Sequence, residues 1–315
     1  MVNLSIRESF SLILLLYINI HLFYSSFNNF KYVEILYINT QIYCLIDVIW
    51  ILFDQKVRIS KIEIIGHHMI TLSLLSTKVE HIYRIRVMYL EFSTLLILLS
   101  RLNLGYLKNI LKNISKVVWF TIRLVVYPCI IINIKLYSND TIESYNLLFL
   151  IYVHLLGLKW TCDSLKITKY INYSSYLLPL SVLDKNLDIY EFSLIFLLTT
   201  TSYFHHLIKE KYTLYLDQSS IVNILSYSVC KNIYLSSLIS LTNFMVTLKF
   251  KSQIITYLLF LIITWYQIIY FDNNLKYIYP FMMYGFYLYY KYKNSLVWHL
   301  CNSIYIYLVK ISYLE

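Results

Sequence analysis

The chain has 315 residues, 59% of them hydrophobic and 14% charged. A soluble domain carries about 25% charged residues, so a water-soluble fold has too little polar surface to cover this chain, and the bilayer is the expected solvent. The net charge of +10 comes as lysines and arginines scattered between apolar segments, without the basic patch that nucleic acid requires, so no nucleic-acid partner is expected.

The first apolar segment, residues 9–27, is not followed by an A-x-A site and is expected to remain as a membrane span. Five more segments follow at 33–53, 59–77, 84–105, 117–137 and 145–165, divided by short polar breaks such as "DQKVRIS" and "LKNISK". Lysine and arginine favour the breaks on the N-terminal side, which predicts a cytosolic N-terminus. Alanine is absent and glycine occurs four times. Membrane helices usually approach one another through those two residues, so serine, threonine and the occasional cysteine must supply the close contacts here. The five cysteines lie in apolar segments and form no C-x-x-C pair, which points to buried free thiols.

A charge at mid-membrane costs about 2.5–3.5 kcal/mol on the insertion scale. Ionisable residues within spans are therefore paired, functional or both. The first half holds Asp47, His67, His68, Glu91, Arg101, Arg123, His154, Lys159 and Asp163 at such positions. Counting depth at about 1.5 Å per residue puts His67, His68, Glu91 and His154 near one level. Asp47, Arg123 and Lys159 fall nearer the N-terminal side, which predicts that Asp47 pairs with a cation there. Two imidazoles facing the Glu91 carboxylate would make a proton relay, with His67 or His68 as general base and Glu91 orienting it.

Several stretches here occur in a telling order: "IDVIWILF", "IEIIGHHMITLSLL", "YLEFSTLLILLSRLNL", "TIRLVVYP" and "LLGLKWTCDSLK". Together, over about residues 36–168, they resemble the TLC domain family. The resemblance implies six helices around a cavity that accepts lipid. It implies His67, His68 and Glu91 as catalytic residues if there is chemistry, and Asp47, Arg101, Arg123, His154 and Trp160 as substrate-binding residues. The ceramide synthases of that family carry an acid-rich motif after the histidines, where this chain has "EFSTLLILLSR". The implied function is therefore handling a long-chain lipid within the bilayer by binding, sensing or transporting it. The alternative is acyl transfer with acyl-CoA as co-substrate.

The second half has apolar segments at 190–208, 217–230, 233–248, 253–271, 276–291 and 295–313. The charge pattern asks for one more crossing at 170–183, although that stretch is short and contains Pro179. "TTTSYFHHLIKEKYTLYLDQSS" and "NSLVWHLCNS" resemble the alkaline-ceramidase type of seven-helix membrane hydrolase. That likeness implies His206, Asp217 and His299 on a metal, beside Ser202, in a zinc-dependent lipid amide hydrolase. Ser295 stands where the last histidine pair would have its earlier member, one zinc ligand short of the usual set.

The expected protein is all-α: a polytopic bundle of about 12–13 spans. Residues 1–35 form an N-terminal helix and loop, 36–168 a TLC-like six-helix bundle, and 169–315 a second helical bundle. No cofactor is required, the partner is a membrane lipid, and an internal membrane such as the endoplasmic reticulum is the expected location.

Overall fold

Inside a bilayer every backbone N–H and C=O must find its partner within the protein, and a helix does so along its own segment. The computed structural model describes residues 5–27, 33–53, 61–76, 88–102, 104–137, 144–169, 173–183, 187–270, 284, 287 and 295–311. Among the described residues the regular elements are all helical and no strand occurs. The expected span at 276–291 lies almost entirely outside them.

Among the described residues, five helices are long and apolar enough to cross a membrane, as an integral membrane protein requires. Large apolar side chains stand on their outer faces: Ile13 is 66% exposed, Ile20 61% and Leu238 60%. Such surfaces suit acyl chains and would be an aggregation hazard in water.

The chain divides into two compact units. One comprises residues 1–142 with 156–158, the other 143–155 with 159–315. In the first, α1 (Ile6–Phe27), α2 (Val33–Phe53), α3 (Lys61–Ser76) and α4 (Glu91–Arg101) pack around Leu15, Leu22, Leu36, Tyr37, Leu75 and Leu95. With 21 residues, α2 is about 31 Å long at 1.5 Å per residue, matching the hydrocarbon thickness. On α3, buried Glu63, His67 and Leu74 repeat at helical spacing, as do His68 and Leu75, while Ile62 and Met69 point outward.

One helix is longer than its sequence suggests. The polar stretch 106–116, expected as a loop, is α5 (Tyr106–Phe120). It starts at Gly105, whose positive φ of 57° suits glycine. Leucine, lysine and isoleucine then carry it onward without a breaker. It continues through a π-helical segment (Thr121–Val126) into α6 (Tyr127–Tyr137). Pro128 explains the π segment. Its ring would crowd the carbonyl of Leu124 in an α-helix, and it has no N–H to donate. The wider register relieves this, and the Tyr127 N–H donates to the Ile122 carbonyl five residues back. The apolar stretch Tyr106–Leu136 has 31 residues, about 46 Å, so Lys108, Lys112 and Lys116 sit where the helix outruns a 30 Å core.

In helix α7 (Ser144–Ser164), 72% of the span is buried. Its buried residues include Asn146, His154 and Lys159 beside many leucines, so it has no single apolar stripe. The second unit continues with a 3-10 helix (Tyr173–Leu183), α8 (Ile189–Ile208), α9 (Lys211–Cys230), α10 (Ile233–Phe250), α11 (Ile254–Tyr270) and α12 (Ser295–Ile311). The 3-10 rise of about 2.0 Å stretches the eleven residues around Pro179 to about 22 Å. That is longer than an α-helix of the same length, yet short of a full crossing. The 3-10 helix packs between α8 and α12, and α9 packs against α8, α10 and α11.

Small polar residues stitch these helices where glycine and alanine are missing. Thr201 bonds Ser220 at 3.0 Å, the Asn243 amide donates to Ser219 at 3.2 Å, and Thr256 donates to Asn243 at 3.1 Å. An Asp188–Glu191 capping box starts α8.

Candidate functional site

In the first unit, four elements bring ionisable groups together away from water. His67 and His68 are adjacent on α3, so their rings diverge by about 100° around the axis and meet different partners. The His68 Nε2 lies 2.9 Å from Asp47 Oδ2 on α2. The His67 Nε2 lies 3.4 Å from Glu91 Oε1 on α4. All four residues are buried or nearly so. The pair thus faces two carboxylates, where a shared one at Glu91 was expected.

Asp47 has a second partner, one that the sequence analysis does not name. Arg7, in the first turn of α1, grips it with two parallel hydrogen bonds, Nε to Oδ1 at 2.9 Å and Nη2 to Oδ2 at 2.8 Å. Neither of the cations expected at Asp47 fills that role. Lys159 bonds Asp163 one turn on, at 2.7 Å. Arg123 lies near Glu91 and acts on its charge. Arg7 escaped notice because the first span was drawn from residue 9. Its signal was Arg7 and Ser11 four apart on one face, with Ser11 also reaching Asp47 at 3.5 Å.

Arg123 is the most unusual group in the unit. It is 2% exposed, sits in the π segment, and has its guanidinium carbon 4.9 Å from the centre of the Trp119 ring. Its Nε and Nη1 are buried and donate to nothing among the described residues. Gly157 lies against its stem: a Cβ there would stand 3.6 Å from the Arg123 Cδ.

Other expected site residues have different neighbours. Arg101 is half exposed and pairs with Glu8 in the first turn of α1. His154 belongs to the second unit and packs its ring 5.1 Å from that of Phe196. Trp160 is half-buried on α7.

The second unit holds its own polar cluster, built by the 3-10 helix, α8, α9 and α12. The Ser174 Oγ lies 2.9 Å from His299 Nδ1. On the other side of that ring, Nε2 lies 3.2 Å from the Ser202 Oγ and 3.3 Å from the His206 Nε2. The Asp217 carboxylate approaches Ser202, and its buried Oδ1 has no hydrogen-bond partner among the described residues. If Nδ1–H donates to Ser174, then Nε2 is a bare lone pair with two candidate donors before it.

Two nitrogens on one tetrahedral zinc, each about 2.05 Å from it, stand about 3.3–3.4 Å apart. The His206–His299 pair matches that separation. Asp217 does not complete the set: among the described residues no three His, Cys, Asp or Glu side chains converge on one metal position. The donors present fall one short of a structural or catalytic zinc site. His205 points away, to the Thr213 hydroxyl at 3.1 Å.

No family model, curated protein or solved structure matches the chain.

Proposed function

We propose that this integral membrane protein binds a long-chain lipid within its first helical unit, as the TLC-like motifs imply. Arg123 carries the reading. A guanidinium in an apolar bundle, with two donors that bond to nothing among the described residues, is costly to keep. A lipid head group with carbonyl, hydroxyl or phosphate oxygens would satisfy those donors. Trp119 shields one face of the cation, and the carboxylate–imidazole pairs beside it hold the surrounding helices in register.

Lipid extracted from protein purified in mild detergent, and quantified by mass spectrometry, tests this. The wild type should retain about one lipid per chain, and Arg123→Leu should lose it. Because the variant removes buried donors that lack partners among the described residues, and His67 still faces Glu91, the lipid-stripped variant should remain folded. Retention of the same lipid by Arg123→Leu would end the proposal. A drop in stability without loss of lipid would make Arg123 a structural residue. Residual acyl transfer belongs to the same reading. His68 would be the base, since Asp47 holds its Nε2 and its Nδ1 meets no partner among the described residues. Acyl-CoA consumption should then collapse in His68→Ala.

The second unit supports a second reading, hydrolysis of a lipid amide or ester. The supporting observation is Ser202 within 3.2 Å of a histidine whose far nitrogen is held by Ser174. That is the arrangement of a nucleophile, its base and an orienting group. A fluorophosphonate probe should label Ser202 and fail on Ser202→Ala. Absence of labelling in active wild-type membranes counts against it.

A further inference from the structure

A cavity of about 470 Å³ opens at one end of the second unit, away from the Ser202–His299 cluster's own residues. Its wall is drawn from the start of α9 (Lys211, Leu214, Tyr215), the turn after α10 (Lys251, Ser252, Gln253) and the start of α11 (Ile254, Tyr257). We propose that it binds the phosphate-bearing head group of an anionic phospholipid drawn from the surrounding leaflet.

Three features select that ligand. The first is charge. Lys211 and Lys251 are exposed, and neither is paired with a carboxylate among the described residues. Glu210, the acid beside them, is already held by Lys169. Lys209 and Lys249 flank the same turns, so this end of the unit is strongly basic. At the opposite ends of α8 and α9 stand Asp188, Glu191 and Lys231, the last two in an ion pair. Such asymmetry puts the basic end on the cytosolic side, where anionic lipids concentrate. A lysine ammonium is a compact point charge suited to phosphate.

The second feature is the backbone. Both α9 and α11 begin at the cavity, presenting the positive ends of their dipoles and first-turn N–H groups. Glu210 at the head of α9 offers no side-chain cap. At the head of α11 the Ser252 hydroxyl accepts only the Ile254 N–H, at 3.3 Å. The Gln253 side-chain oxygen accepts the Tyr257 hydroxyl at 2.6 Å, and its amide nitrogen is a further donor at the cavity wall.

The third feature is the apolar side. Ile254 is 66% exposed and Leu214 and Tyr257 stand beside it, so the basic floor continues into a greasy wall. A free phosphate would use only the floor, whereas a phospholipid uses both. A basic pocket between helices at the cytosolic level is the setting in which anionic head groups bind.

The test uses the full chain in mild detergent, with dioctanoyl phosphatidic acid, dioctanoyl phosphatidylcholine and inorganic phosphate as probes in native mass spectrometry. Phosphatidic acid should bind far better than phosphatidylcholine. It should weaken about thirty-fold in Lys211→Gln/Lys251→Gln, from the loss of two surface lysines. The charge-keeping pair Lys211→Arg/Lys251→Arg should hold binding, as should Lys112→Gln/Lys116→Gln on α5. Equal binding of both lipids overturns the proposal, as does an unchanged double variant or an equal loss in the α5 control. Inorganic phosphate binding as tightly as the lipid would overturn the membrane source of the ligand. Thermal melting of each variant separates lost binding from lost fold.

Discussion

Asp47 shows how a buried acid is kept in a membrane protein. Three donors converge on it: a bidentate arginine, an imidazole and, at longer range, a serine hydroxyl. Replacing Asp47 by alanine strands Arg7 and His68 together. Breaking a buried pair in this way costs about 3–5 kcal/mol, and a loss near the lower bound is expected because the Arg7 side chain is 18% exposed and keeps some access to the head groups. Arg7→Ala should cost less than Asp47→Ala, since His68 still satisfies the acid. Unfolding in mixed detergent micelles gives both numbers, and the reverse order would show that Arg7 does more than hold Asp47. Arg101, by contrast, meets Glu8 near the surface. Such a pair is worth about 1 kcal/mol or less.

Glycine scarcity leaves its mark on the ends of the helices. Lys166, Lys209, Lys231 and Lys251 all adopt left-handed φ values of 48–58° just after a helix, where glycine is usual. At the end of α7 the Ile167 N–H donates to the Cys162 carbonyl at 3.1 Å and the Lys166 N–H to the Asp163 carbonyl at 3.0 Å, a Schellman closure. Lys166→Gly should therefore raise stability by about 1 kcal/mol, the cost of a left-handed L-residue. The same unfolding assay reads it, and a loss would mean that the Lys166 side chain contributes more than its strain. The π segment belongs to the same scale. Pro128→Ala restores the N–H that the wider register avoids, so the helix should revert to α geometry. Removing one residue of register turns Arg123 by about 100°, and lipid retention should fall while the fold persists. Unchanged retention would show that the π register does not aim Arg123.

The molecule as a whole is shaped by its solvent. Its exposed surface is rich in isoleucine, leucine, phenylalanine and tyrosine, and its ionisable groups are gathered inside each unit or at helix ends. Cys129, exposed on α6, sits eight residues from the helix end, about 12 Å in. In nanodiscs it should resist a charged, membrane-impermeant maleimide and react with N-ethylmaleimide. Fast labelling by the charged reagent would place that face of α6 in water. Cys44, Cys162 and Cys301 are buried and should stay unlabelled by both reagents until the protein unfolds.

The sequence by itself determined the helical class and most helix positions. α2 spans the expected 33–53, and α3, α7, α8, α10 and α11 lie within about three residues of their expected ends. Apolar length is a local property, and the bilayer turns it into a helix without help from distant residues. The same logic singled out His67, His68, Glu91, Asp47, Ser202, His206 and His299, because charge and imidazole stand out against an apolar run. Partnership was another matter. Depth counting gave the level of each group but not its azimuth, so Asp47 was matched to Arg123 or Lys159 when Arg7 holds it. The two histidines were given one carboxylate when they reach two. The angle at which one helix turns toward another depends on packing along its whole length. That packing also brought Ser174 to His299. Ser174 and His299 stand 125 positions apart, and no local pattern encodes their contact.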